Sequence, residues 1–519
     1  ADYAHQAFQI SEKSRCQSLL EMLNEGQVDL RAGIDPELLE RERLVRQKLN
    51  AREQQRQRLL TESPDSDTSD ALADEIRALL NEYENIETRI RQAQPRLAAI
   101  EKAEALPYEK IQHEVLDDST LLIEYALTGE KSFAWAITKD QISCVELPPA
   151  DDIEKTARVV YDNLTARNAY VDGESTAQRF DRIRMSDENV SSALLELSDK
   201  ILSPLADHLD KPRIVFVCDE ILQYMPMAVL PIPGSDQGGE KSNDRLVNHF
   251  EILSAPSASA LPLIREEKNR GRQPDKLLAI FADPVFSTND PRLSSSLLAT
   301  NESTSQTRSD ALDQALQETG MGTRSDLSRL PFSRLEATDI LTLAGTDACQ
   351  CYMDFDATYS TAVAPDLSRF NIVHFATHGM MNTINPELSG LVLSLYDQGG
   401  HSQNGYLRLH DIYQLDLNAD LVVLSACQTA LGKEIRGEGL IGLTRGFMYA
   451  GAPRVLASLW KVDDEATAAL MKQFYSNKLE KDMPAAKALQ QAQLTIKNEK
   501  RWVSPYYWAA FVLQGDWQE

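Results

Sequence analysis

The chain has 519 residues, 42% hydrophobic and 25% charged, ordinary for a soluble globular protein and enough for two or three domains around a large core. Its formal charge is −26, from 53 basic and 79 acidic residues. That excludes phosphate-backbone binding as a main task, because such affinity comes from Lys and Arg, so no direct nucleic-acid partner is expected. No apolar run reaches the length of a membrane span, and the N-terminus lacks a basic region followed by an apolar stretch. Neither a membrane span nor a secretory leader is therefore expected, and a reducing cytoplasm is the expected compartment. The chain opens on Ala1 rather than Met, which reads as a piece of a longer protein.

Taken in order, residues 1–34 carry one amphipathic helix, with Phe8, Leu19, Leu20 and Leu23 on its apolar face and Gly26 at its end. Asp35-Pro36 reads as an N-cap followed by proline at the first helical position, opening a charged helix to about residue 60. A polar break at 63–70 leads into the clearest periodicity of the chain. Leu72, Ile76, Leu79, Tyr83, Ile86, Ile90, Ala93, Leu97 and Ile100 alternate spacings of four and three, an a/d heptad seam. Residues 35–105 therefore read as a coiled-coil helical hairpin, serving either intramolecular packing or partner docking. From about residue 106 the pattern changes, and a period of two follows. Leu121, Ile123 and Tyr125, then Phe133, Trp135 and Ile137, flank a Thr-Gly-Glu-Lys turn and predict a β-hairpin. Helices are expected over 151–209 and a buried strand at 213–218.

A second α/β unit begins at residue 276. Strands are expected at 277–282, 371–376, 421–424, 454–460 and 508–513, with helices at 333–344, 437–450, 464–479 and 484–498 between them. Such alternation predicts an α/β fold with a mainly parallel sheet and helices on both faces. The polar stretches 287–330 and 432–439 read as loops. The fold class is thus a two-part α/β sheet protein, 116–270 and 276–519, preceded by helices.

In such sheets chemistry gathers at the carboxyl ends of the strands. Strand 371–376 ends in Thr377-His378-Gly379, and strand 421–424 ends in Ser425-Ala426-Cys427. A thiol needs its proton removed to become a nucleophile, and a neighbouring imidazole can take that proton and return it to a leaving amine. His378 and Cys427 are therefore the candidate catalytic pair. Backbone N–H groups of Gly379 and Cys427 are the candidate oxyanion donors. Each residue alone has a plain reading: a cysteine at a buried strand end is a small hydrophobe, and a histidine there is a hydrogen-bonded structural group. Both at neighbouring strand ends point to catalysis. His374 and His378 are four apart, as in a zinc helix, but they lie in a strand pattern with Phe375 where the zinc motif has Glu, so zinc is set aside. Cys16, Cys144, Cys218, Cys349, Cys351 and Cys427 are dispersed, and Cys349-Gln350-Cys351 lacks the second pair of a zinc site. No metal or cofactor is expected.

The blocks HFATHG (374–379), LSACQTALG (424–432), RGEGLIGLTRGFMYAGAP (436–453) and VLASLWKVDDEAT (455–467) resemble the hallmark segments of CHAT-domain proteins, a caspase- and separase-related cysteine protease family. LLIEYAL (121–127), IVFVCDEILQYMPMAVLP (214–231), FADPVF (281–286) and PELSGLVLS (386–394) agree. The spacing agrees too: His378 precedes Cys427 by 49 residues, and caspases place the histidine about 50 residues upstream. Residues 7–23 resemble the helix that closes a TPR array. The resemblance implies a caspase-like fold, with a pseudo-caspase half at 116–270 and an active half at 276–519, and the dyad His378 and Cys427. It implies a specificity pocket drawing on Asp283, Ser425, Asp463 and Asp464, whose acids suit a basic residue at the cleaved position. Asp463 and Asp464 read equally as the N-cap of the following helix. The implied activity is a cysteine endopeptidase gated by an upstream TPR region or a partner. Its implied protein substrate is a gasdermin-like or other effector in bacterial defence. The alternative is a non-catalytic scaffold.

Overall fold

The computed structural model describes residues 4–15, 38, 40–49, 51–52, 67–92, 105–169, 171–234, 244–270, 273–287, 289–293, 327–345, 347–380, 389–425, 427–428 and 439–519. Helix α1 (residues 4–15) does not stand apart from the sheet. Phe8 is fully buried and meets Trp135 edge-on at 5.7 Å. Trp135 Nε1 donates to the Ala4 carbonyl at 3.0 Å. Glu12, also fully buried, accepts from the Ser257 hydroxyl and from the Ala258 and Ser259 backbone N–H groups at 2.7–3.0 Å. Ser11 donates to buried Glu124 at 2.7 Å. Burial first, and then the charge of Glu12, push the Glu124 carboxyl well above its ordinary value, with Arg15 opposing. Phe8 lies on the apolar face expected for this segment; Leu19, Leu20 and Leu23 lie outside the described residues.

Helices α2 (residues 40–49) and α3 (Asp67–Gln92) share a separate apolar cluster: Leu38, Val45 and Leu49 against Leu72, Ile76 and Ile86, with Leu79 and Tyr83 packed on it. Leu72, Ile76, Leu79, Tyr83 and Ile86 are positions of the heptad seam, and Leu38, Val45 and Leu49 come from the preceding charged helix; Ala93, Leu97 and Ile100 lie outside the described residues.

The main sheet has eleven strands. β1 (Thr120–Ala126), β2 (Ser132–Ile137) and β3 (Ile142–Leu147) pair antiparallel, so the expected hairpin is present with a third strand added. Two helices follow, α4 (Ala150–Leu164) and α5 (Thr176–Ile201). The second opens with a Ser175–Gln178 capping box that satisfies its first N–H groups. β4 (Arg213–Val217) joins parallel to β1, and β5 (Glu251–Ser254) parallel to β4. Helix α6 (Leu261–Arg270) leads to the second half. There β6 (Lys276–Pro284), α7 (Pro331–Ala344), β7 (Cys349–Asp354) and β8 (Phe370–Ala376) alternate. Three short strands follow: β9 (His378–Met380), β10 (Gly390–Val392) and β11 (Tyr406–Arg408). β12 (Leu421–Leu424), β13 (Cys427–Gln428), α8 (Gly439–Tyr449), β14 (Arg454–Ser458), α9 (Asp464–Tyr475), α10 (Ala485–Lys497) and β15 (Phe511–Gly515) complete the chain.

The order is β3-β2-β1-β4-β5-β15-β14-β12-β8-β6-β7. β7, β6, β8, β12 and β14 are parallel, which explains why β12 reads LVVL and is buried on both faces. β15 runs antiparallel to β14 and meets β5 at Gln514–Ser254, so the two halves form one sheet. The last strand begins three residues later than the sequence pattern suggests. Pro505, fixed at a helical φ and lacking an N–H, starts the short helix Pro505–Trp508 instead. A second sheet, β11-β10-β9-β13, sits at the carboxyl ends of β8 and β12. Gly390 permits it: a Cβ there would meet the Leu407 carbonyl oxygen at 2.2 Å.

One fully buried charge clamps the opposite, amino ends of the central strands. Arg454 pairs with Asp420 at 2.5 Å and donates to the Asp516 and Gln518 carbonyls at 2.8 and 2.6 Å. Lys268 holds the other Asp420 oxygen at 2.7 Å. Burial alone would raise the Asp420 carboxyl, but Arg454 and Lys268 outweigh it and hold it below the usual range. Asp420→Asn should therefore destabilise the chain by about 1–3 kcal/mol, because the buried guanidinium loses its nearest carboxylate and keeps two carbonyls and the more distant Glu519. In the native chain this contribution is present above the ordinary carboxyl range near pH 4 and is lost as acid protonates Asp420. Denaturant titrations against pH check both: the gap between native and variant should close at low pH.

Candidate active site

The site is built by two strands leaving the main sheet together. β8 and β12 pair in parallel up to Phe375–Leu424. Both chains then step out and pair again, with Cys427 opposite His378 and Gln428 opposite Gly379. Paired strands lie about 4.8 Å apart, so the two candidate catalytic residues are backbone neighbours. Gly379 lies between Leu391 of β10 and Gln428 of β13.

The His378 side chain is almost wholly buried, 1% exposed. Its Nε2 donates to the Ser328 carbonyl at 2.8 Å, and the Phe286 ring lies 4.8 Å from the imidazole. The other ring nitrogen, Nδ1, is buried with no hydrogen-bond partner among the described residues. The Ser328 bond places the proton on Nε2, so Nδ1 carries the free lone pair. Burial lowers the imidazole to about 4, the Ser328 carbonyl partly opposes this, and the Lys461 charge adds to the lowering. At neutral pH the ring is an uncharged base.

The four specificity candidates have distinct surroundings. Asp283 is fully buried at the end of β6 and is gripped by arginines: Arg329 through two bonds of 2.9 and 2.7 Å, Arg334 at 2.7 Å and Arg292 at 3.2 Å. In this arrangement its carboxylate is not open to a substrate cation. Ser425 donates to Glu336 at 3.2 Å. Asp463 caps α9, accepting from the Ala466 N–H at 3.1 Å, so its N-cap reading is realised. Asp464 is half-buried, and its carboxyl is raised by burial, with Lys461 opposing and Asp463 and Glu336 adding to the rise. It makes no hydrogen bond or ion pair among the described residues. His374 packs inward as expected. Its Nδ1 lies 3.0 Å from the Tyr475 hydroxyl, and its Nε2 lies 3.0 Å from Glu336, close but not aligned as a hydrogen bond.

Ser328, Phe286, Lys461 and Glu336 were not singled out in the sequence. Ser328 acts through a backbone carbonyl, which no residue type signals. Phe286 stands inside the block FADPVF, its one available sign.

The architecture is that of an α/β protein carrying a cysteine–histidine pair at the carboxyl edge of a mainly parallel sheet. The chain belongs to the CHAT domain family, whose profile matches residues 192–516. It is 26% identical over 332 residues to tetratricopeptide repeat protein 28 of Homo sapiens, covering 58% of this chain and 12% of that protein. The Mus musculus protein of the same name matches at 26% over 337 residues, with the same coverage. The chain thus spans only 12% of the length of these relatives. Among solved structures, a chain of the Saccharomyces cerevisiae separase–securin complex overlaps 86% of this chain and 33% of its own, at 9% identity and a TM-score of 0.47. The Arg-specific cysteine proteinase gingipain R overlaps 71% of this chain and 74% of its own, at 12% identity and a TM-score of 0.34.

The depressed imidazole has a thermodynamic signature. The unfolded chain binds a proton at His378 near pH 6.5, whereas the folded chain resists it until about pH 4. Stability should therefore fall as pH drops through that window, by up to about 3 kcal/mol from this group. His378→Gln should remove that component, seen as a flatter difference curve of denaturation midpoint against pH.

Proposed function

We propose that the chain is a cysteine endopeptidase in which Cys427 is the nucleophile and His378 the base. One observation carries this reading: a buried imidazole, fixed at Nε2 and, among the described residues, unpartnered at Nδ1, in backbone register with a cysteine. The Cys427 thiol attacks a peptide carbonyl while His378 Nδ1 takes its proton. The tetrahedral oxyanion then collapses, the C–N bond breaks, and His378 returns the proton to the leaving amine. Water, deprotonated by the same nitrogen, hydrolyses the thioester and frees the thiol. Backbone N–H groups of Gly379 and Cys427 are the proposed oxyanion donors. A neutral imidazole supports general-base action during attack rather than a standing thiolate–imidazolium pair.

The finer reading is a cytoplasmic enzyme that cleaves a protein substrate after a basic residue. Of the three candidate acids, Asp464 is the one without a cap or ion pair among the described residues, so the preference rests on it. The docking of α1 through Glu12, Ser11 and Arg15 supports gating from the N-terminal side, by an upstream TPR region or a partner. Activation of a gasdermin-like or other effector in bacterial defence belongs to the same proposal.

Profiling new protein termini after incubation with native and Cys427→Ala chains tests the activity. The native chain should generate cleavages that are absent with the variant; equal cleavage by both refutes the nucleophile. Products should end in Arg or Lys, and Asp464→Asn should reduce such cleavages about tenfold or more through loss of the charge-assisted contact. Products ending mainly in Asp or an apolar residue refute the basic preference.

A further inference from the structure

The strongest unexplained feature is the charge cluster at the end of β6. Asp283 has a φ of 47°, a conformation disfavoured for a residue with a Cβ, and it stands at a register shift in the β6–β7 ladder. Ser333 Oγ accepts from its N–H at 3.0 Å. Three arginines converge on its carboxylate, and two of them have other acids: Arg292 also binds Asp290 and Asp354, and Arg334 also binds Asp354. Arg329 differs. Asp283 is its only ion-pair partner among the described residues, through a planar two-bond fork. That fork fixes direction as well as distance.

Arg329 directly follows Ser328, whose carbonyl holds His378 Nε2. On either side of the two, Leu327 and Leu330 are buried, and Pro331 opens α7. The route from Asp283 to the imidazole is thus short and continuous: carboxylate, guanidinium, one peptide unit, carbonyl, ring N–H. A carbonyl has no rotamer of its own, so its aim depends on how the neighbouring backbone is tied down.

We propose that Asp283 and Arg329 are positioning residues for His378. Their two-bond ion pair aims the Ser328 carbonyl, and that carbonyl keeps the imidazole in the Nε2–H tautomer with Nδ1 free. Neither residue touches substrate. The strained backbone at Asp283 is held because the arginine cluster over-determines it, and the buried acid serves the catalytic base rather than a substrate cation. This rests on the dyad reading of His378 and Cys427.

Long-range proton–nitrogen spectra of the histidine-labelled chain report the tautomer, with His378→Gln assigning the signal. Iodoacetamide labelling of Cys427 at pH 7, located by mass spectrometry, reports the function of the base. The native chain should show only the Nε2–H form of His378. Arg329→Gln should give a mixture of tautomers and slow labelling about tenfold, the scale expected when a catalytic group is misaimed. Arg329→Lys should recover part of the loss, since it restores charge but not the fork. Asp283→Asn should match Arg329→Gln; because Asp283 is buried and this change can unfold the chain, the half-buried Arg329 carries the test, with thermal unfolding as the check. Arg329→Gln with the native tautomer, or with labelling within twofold of native, overturns the positioning role. If His378→Gln itself labels at the native rate, the dyad reading fails and the proposal falls with it, a result distinct from the first.

Discussion

The site depends on a continuity of register between two sheets. Phe375 faces Leu424 in the parallel ladder of the main sheet, and His378 faces Cys427 in the small one. From the first pair to the second, each chain advances by three residues, so the strands leave the main sheet and re-pair in phase. An extra residue in either crossing would put Cys427 opposite Thr377 or Gly379. Buried strands enforce this, because a one-residue slip turns every side chain to the opposite face. β12 is buried on both faces and locked between β8 and β14. The Phe281–Phe375 and Phe375–Phe447 contacts, with centroids at 4.9 and 5.6 Å, pack the end of the neighbouring β8.

Burial then sets the electrostatics. The imidazole is driven to the neutral form by loss of water, and one carbonyl decides which nitrogen keeps the proton. Ser425, Glu336, His374 and Tyr475 make a buried polar chain that ties α7, β8 and α9 together. Such groups gain little net stability over an apolar core, but they admit few alternative packings. Much of the acidity that looked like a specificity wall is spent inside the protein, with Asp283 on arginines and Asp463 on a helix end. An acid near a strand end is as useful for ordering loops and caps as for meeting a ligand, and residue type alone does not separate the two.

The helical and sheet elements were legible because their periods are strong. LVVL at 421–424, the alternation at 121–137 and the heptads after residue 72 each have one structural solution at low cost. The third strand, β3, escaped because ISCVEL mixes exposed and half-buried positions at a sheet edge. Strand β15 starts three residues later than the apolar run 508–513 suggests, because Trp508 closes the short helix that Pro505 opens. Of the site, the histidine and cysteine were legible as strand-end residues at a telling spacing. The Ser328 carbonyl was not, because every residue has one and only the fold brings this one to the ring.

The sequence by itself determined the α/β alternation, the burial of the central strands and the candidacy of His378 and Cys427, since these follow from periodicity and from where polar residues interrupt it. Tertiary structure alone decided that the two residues pair across β9 and β13, that the imidazole is neutral with Nδ1 unpartnered among the described residues, and that Asp283 is bound to arginines. It also decided that α1 packs on the sheet through Phe8 and Glu12. Those outcomes depend on contacts between residues tens to hundreds of positions apart, where desolvation and hydrogen-bond direction, rather than local propensity, set the result.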